Sequence, residues 1–188
     1  MRTFFIGLLV GLAACSSASA GQLASERAET KAAATISLTS SAFAEGQPIP
    51  LRFSAYGDGV SPPLQWDEPP AGTASFVLMV EDPDATSHKP YVHWLAWNIP
   101  PATRQLPEAV TAADATMVQG RNHHGDNAWF GPRPGGSSPH HYYFQLFALD
   151  STLALPKTAS RDDLLGAMKG HVLAAGKLLG TFARPNGD

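Results

Sequence analysis

The residues of this chain with the clearest chemical potential are two carboxylates and a few histidines set at the ends of apolar runs. Asp82-Pro83-Asp84 follows the run Phe76 to Val80, His93 lies inside the next run, and His140 opens the run that contains Tyr142. Carboxylates and imidazoles are the groups that accept N–H donors, move protons or contact anions near neutral pH. Strand ends project side chains onto a common rim, and Pro83 fixes the backbone between the two carboxylates. Taken singly, each feature has a plainer explanation, Asp-Pro-Asp as a turn and a strand histidine as a satisfied core residue. The stiff segment Phe130-Gly131-Pro132-Arg133-Pro134-Gly135, just before His140, can build a pocket wall with exposed backbone N–H groups. It reads equally as a solvent loop.

Familiar catalytic machines are absent from the sequence. There is no Gly-x-Ser-x-Gly elbow, no Gly-Lys-Ser/Thr phosphate loop and no Gly-x-Gly-x-x-Gly after a strand. Ser137 and Ser138 sit in a Gly-Ser stretch typical of a solvated connection, so no nucleophile stands out. The pairs His123-His124 and His140-His141 occur without His-x-x-x-His or Cys-x-x-Cys spacing. Neighbours in a strand point to opposite faces, so one metal ion does not easily take both members of a pair, and neither metal nor cofactor is expected.

The elements that must position these groups read mostly as strands. Ile36 and Leu38, then Leu51 and Phe53, alternate with polar residues, a period of two that predicts half-buried strands. Phe76 to Val80, Val92 to Ile99 and Tyr142 to Leu149 predict strands buried on both faces, with turns at Asp58-Gly59, Ala71-Gly72 and Gly135-Gly136. Ser160 followed by Asp163 predicts a capped helix over Arg161 to Met168, stopped near Gly170, and Leu173 to Phe182 predicts a short strand or hairpin ending. Gly 17 and Pro 16 in 188 residues disfavour a helical bundle.

With 44% hydrophobic and 15% charged residues the composition is that of one globular domain. Thirteen Lys and Arg against 16 Asp and Glu, net −3 with no basic block, argue against nucleic acid as a partner. The N-terminus reads as an address. Arg2 precedes an uncharged run from Phe4 to Ala14, far short of the roughly 20 residues of a membrane-spanning helix, which predicts a secretory signal over residues 1–14. It closes with Leu12-Ala13-Ala14-Cys15, which resembles a bacterial lipobox, and the single cysteine of the chain is then the lipidation site. Cleavage after Ala20 is the alternative. Either way the mature chain is expected outside the cytoplasm. On the first reading it is a lipid-anchored envelope protein, outer-membrane and facing the periplasm if Ser16 is read by its resemblance to other lipoproteins. On the second it is soluble in the periplasm or secreted. Residues 15–34 are expected to be a Ser/Ala-rich tether and 35–188 a single domain.

Several stretches, in order, resemble the phosphatidylethanolamine-binding protein family in its bacterial, Raf-kinase-inhibitor-like branch. They are Ser61-Pro62-Pro63-Leu64-Gln65-Trp66, Asp82-Pro83-Asp84-Ala85, His93-Trp94 with Asn98-Ile99-Pro100, Gly131-Pro132-Arg133-Pro134, His140-His141-Tyr142, Ala148-Leu149, and Gly170-His171-Val172-Leu173 with Gly180-Thr181. The resemblance implies a mostly-β fold, a large antiparallel sheet packed on a smaller one with short peripheral and C-terminal helices. It also implies a small anion pocket, with Asp82, Asp84, His93, Gly131, Pro132, Pro134, His140 and Tyr142 as its binding residues. Thr86, Gly135 and the Trp129-Phe130 pair depart from the family pattern, which implies a looser rim and a ligand preference of its own.

On that basis the expected partner is a small phosphate or carboxylate ligand, a phospholipid head group included, with an envelope protein as a further possibility. A protease inhibitor and a weak His/Asp hydrolase are the competing functions. An anion beside ionised Asp82 is repelled unless His93 or His140 is protonated, so binding is expected to strengthen as pH falls through about 6.5.

Overall fold

The structure, a computed structural model, describes residues 21–85 and 88–185. The signal segment 1–14, Cys15 and Thr86 lie outside the described residues. The described residues form ten strands and one α-helix: β1 (Ala34–Thr35), β2 (Leu38–Thr39), β3 (Gln47–Pro48), β4 (Leu64–Trp66), β5 (Ser75–Asp82), β6 (Tyr91–Ile99), β7 (Gln105–Leu106), β8 (Val118–Gly120), β9 (His140–Leu149), α1 (Arg161–Met168) and β10 (Val172–Phe182). The larger sheet runs β1-β10-β9-β5-β6-β8, with β3 also on β10, and the smaller runs β2-β4-β7. The fold is the mostly-β pair of sheets expected, with one correction. The large sheet is mixed, because β1 and β3 both pair in parallel with β10 while its four long strands are antiparallel.

The central strand β5 is buried along its whole length, as its uninterrupted apolar run demands. Its alternation feeds two cores. Phe76, Leu78 and Val80 face the smaller sheet with Leu64, Trp66, Trp94 and Phe144, while Val77 and Met79 face Leu95, Trp97, Phe147 and the α1 residues Leu164, Leu165 and Met168. The helix starts where its capping residues predict: Ser160 Oγ accepts from Asp163 N at 3.2 Å and Ser160 N donates to Asp163 Oδ2 at 2.9 Å. Gly170, at φ 83°, turns the chain into β10. That strand is eleven residues long, a main member of the sheet and the last element among the described residues.

Two further expectations are corrected. Leu51–Phe53 is a 3-10 turn, Pro50 at its start favouring the turn over the ladder. The segment expected as a tether is docked from Gln22 onward. It forms two 3-10 turns, Ala24–Glu26 and Ala28–Thr30, with Leu23, Ala24 and Thr30 buried. Ala24 N donates to Glu81 Oε2 at 2.7 Å, Ser25 N donates to Gln145 Oε1 at 2.7 Å and Arg161 Nη2 donates to Gln22 O at 2.7 Å. Composition hid this because the anchoring groups belong to the backbone, and the alanine that looked like linker is small enough to lie flush on the sheet.

Candidate functional site

Antiparallel pairing of β5 with both β6 and β9 brings the end of β5 beside the starts of its neighbours. Asp82 pairs with Tyr91, and Glu81 with Tyr143. Three strand termini therefore share one rim. Asp82 is 3% exposed, and its oxygens are already occupied. Oδ1 accepts from Asp84 N at 2.8 Å and Ala85 N at 3.1 Å, shaping the turn, and Oδ2 accepts from His140 Nδ1 at 2.8 Å. A carboxylate can only accept here, so His140 carries a proton on Nδ1 and presents Nε2. Burial pushes the Asp82 carboxyl above its usual range despite the opposing pull of His140.

His93 reaches the same rim through an irregularity in β6. Val80 pairs with Trp94 and Glu81 with Val92, leaving His93 as an extra residue without a ladder partner. Such a bulge re-aims a side chain. Strict alternation would send His93 to the helix side with Leu95 and Trp97; instead it shares the small-sheet side with Trp94, edge-on to Tyr142 at 5.1 Å and against Trp129 at 6.3 Å between ring centroids. His93 Nδ1 lies 2.7 Å from Phe130 O, a carbonyl that can only accept, so Nδ1 is the protonated nitrogen. Burial among these rings lowers its pKa to about 4. The proton expected on His93 or His140 is therefore not on His93 between pH 5 and 8.

The Gly-Pro loop is sewn to the turn at 53–56. A Cβ on Gly131 would lie 2.6 Å from Phe53 O, Ser54 C and Ala55 N, so only glycine allows this approach. Ala55 N donates to Pro132 O at 3.0 Å, Tyr56 Oη to Pro134 O at 2.8 Å and Trp129 Nε1 to Phe53 O at 3.1 Å. Fixed in this way, the loop lays Phe130, Arg133, Pro134, Gly135 and Gly136 along one wall of a cavity of about 530 Å³.

Of the eight residues expected there, Asp82, His93, Pro134, His140 and Tyr142 line the cavity. Gly131 and Pro132 hold the loop from behind. Asp84 turns away, its Oδ2 accepting from His141 N at 2.8 Å and standing 2.7 Å from His141 Nδ1. Consecutive strand residues point apart, so His140 serves the cavity and His141 clamps the turn outside it. The Tyr142 hydroxyl is sealed from solvent without a partner of ordinary hydrogen-bond geometry, and burial followed by the nearby Asp82 and Asp84 charges pushes its pKa far up. It is a neutral donor at every physiological pH. Sequence reasoning missed Tyr91 and His124, while Phe130 and Arg133 fall in the segment it read as a possible pocket wall though not among the expected binding residues. His124 stacks on Phe130 at 4.1 Å while its Nδ1 lies 2.8 Å from Asp126 Oδ2. Arg133, exposed at the rim, forms no ion pair with any described residue. Among the described residues no cluster of three or more His, Cys, Asp or Glu is arranged to hold a metal ion.

A mixed sheet packed on a small one, with a cavity where three central strands end, defines a two-sheet domain with a small-molecule-sized cavity at its rim. The family model described as phosphatidylethanolamine-binding protein matches residues 39–183. The chain belongs to that family. It is 42% identical over 152 residues to the UPF0098 protein of Methanothermobacter thermautotrophicus, covering 79% of this chain and 99% of that one. It is 38% identical over 152 residues to a Mycobacterium tuberculosis protein named as a lipoprotein, LppC, covering 80% and 74%. Among solved structures, a phosphatidylethanolamine-binding protein homologue from Chlamydia trachomatis superimposes with TM-score 0.74 at 36% identity, covering 80% of this chain and 99% of that one. YbcL of E. coli does so with TM-score 0.75 at 27% identity, covering 81% and 100%.

Proposed function

We propose that this domain is a binding module that holds a small oxyanion, a phosphate or carboxylate group, in the cavity at the ends of β5, β6 and β9. The observation that carries this reading is the pair of groups facing one space: the Arg133 side chain, which forms no ion pair with any described residue, and His140 held on Asp82. Arg133 supplies a permanent cation. His140, fixed on Asp82 through Nδ1, turns its other ring nitrogen to the same space. Because its own oxygens are filled, Asp82 acts on the ligand through His140. His93, kept neutral by burial, supplies no cation to this site.

The address at the N-terminus completes the proposal. Cleavage before Cys15 and its lipidation would place the module at the cell envelope, in keeping with the lipoprotein name carried by one relative. With docking beginning at Gln22, residues 16–21 span at most roughly 20 Å, which would hold the pocket close to the membrane.

Calorimetric titration with inorganic phosphate tests the module. Saturable one-site binding that is lost in His140→Ala and kept in His171→Ala, a histidine paired with Asp150, is expected. Equal binding by both variants would refute it.

A further inference from the structure

The cavity holds two histidines of opposite character. His140 donates its Nδ1 proton to a carboxylate and can become a cation. His93 donates its Nδ1 proton to the uncharged Phe130 carbonyl at 2.7 Å, and that carbonyl's own residue is tied back by Phe130 N donating to His93 O at 3.0 Å. This reciprocal pair fixes the ring and its tautomer. Tyr91, Trp129, Phe130 and Tyr142 surround it with centroids at 5.0, 6.3, 5.8 and 5.1 Å, and the groups with charge nearest to it, His123 and His140, would both oppose a second proton. Nε2 has no partner among the described residues and is not among the sealed polar atoms, while the ring itself lines the cavity. His93 therefore meets a ligand with a lone pair. A lone pair facing a bare anionic oxygen repels it, and a ligand O–H satisfies it.

We propose that, within the oxyanion-binding reading above, the pocket selects anions that bring a proton of their own, phosphate and singly protonated phosphate monoesters, over sulfate and phosphodiesters. Arg133 and, in its cationic form, His140 take the bare oxygens, and His93 Nε2 accepts the ligand O–H. The discrimination follows from an unpaired buried acceptor, the type of contact that gives larger selectivities than shape alone.

The decisive experiment compares inorganic phosphate, sulfate and dimethyl phosphate at pH 6 and constant ionic strength, with phosphate in its O–H-bearing form and the other two without any proton to give. Phosphate is expected to bind at least about tenfold more tightly than either. Equal affinities for phosphate and sulfate would overturn the selectivity while leaving the oxyanion reading intact; no binding of any of them would overturn both. His93→Gln, whose amide can turn its NH2 toward the ligand, is expected to bring the phosphate-to-sulfate ratio below about threefold, and an unchanged ratio would count against His93. Two-bond proton–nitrogen correlation on the unsubstituted protein gives a check that no variant can confound. Protonated Nδ1 and bare Nε2 are expected for His93, and the reverse assignment would remove the basis of the selectivity.

Discussion

Glu81 and Asp82 are adjacent carboxylates at the end of one strand, yet they face opposite sides of the sheet and lead opposite lives. Glu81 is fully buried on the helix side, accepting from Ala24 N and Gln145 Nε2, each at 2.7 Å, and from Arg161 Nε. Every partner of Glu81 is itself consumed by the fold, so the network closes and its output is the docking of residues 22–30. Asp82 is equally saturated, but its partner His140 has a second nitrogen turned to the cavity. A carboxylate whose hydrogen-bond chain ends inside the protein stabilises the fold, and one whose chain ends at a cavity tunes a site.

Breaking the closed side is expected to have the largest effect. Glu81→Ala leaves Arg161 buried without its carboxylate and is predicted to lower unfolding stability by about 3–5 kcal/mol, read as a fall in the urea midpoint. Phosphate affinity of the fraction that stays folded is predicted to be unchanged. Next comes the acid response of the open side. The native state keeps His93 neutral down to about 4, whereas the unfolded chain takes up that proton near 6.5. Stability is therefore full above pH 6.5 and declines as pH falls toward 4, by up to about 3 kcal/mol, and His93→Gln is predicted to flatten this part of a stability-against-pH curve.

The remaining changes sharpen the contrast at smaller scale. In Asp82 the shift runs the other way: the folded state favours its protonated form, so its ionisation costs stability as pH rises through the raised value. Asp82→Asn is predicted to leave neutral-pH stability within about 1 kcal/mol of the parent, or above it, while weakening phosphate binding about tenfold through the loss of the carboxylate behind His140. Calorimetry and denaturant melts on one sample would separate the two effects. Arg133→Ala, an exposed change, is predicted to alter stability by less than about 0.5 kcal/mol, to weaken phosphate binding several-fold and to reduce its salt dependence.

What could be read beforehand follows the same division. The long strands were legible because apolar runs of that length have few alternatives, and the helix because Ser160 and Asp163 cap it. Asp82, His93, Pro134, His140 and Tyr142 were placed in the pocket from motifs, and the structure gathers them there. Asp84, Gly131 and Pro132 belong to the same motifs but serve the loops that hold the site, a distinction invisible until the register of β5 on β9 and the contact of Gly131 with 53–55 are known. Arg133 was legible as part of the loop wall but not as a binding residue, because it occupies the variable position of Gly-Pro-x-Pro, and the aim of His93 was hidden by a bulge that alternation cannot foresee. The docked N-terminus was missed because its hydrogen bonds come from backbone groups that every residue type carries.

The central claim, one oxyanion pocket served by His140 and Arg133 while His93 stays neutral, is tested most directly by following the histidine ring signals of residues 21–188 through a phosphate titration between pH 5 and 8. Saturable shifts shared by His140 and His93 with one dissociation constant are predicted, with His171 unmoved and His93 showing no titration of its own in that range. His93 titrating near 6.5, or ring signals that ignore phosphate, would contradict it.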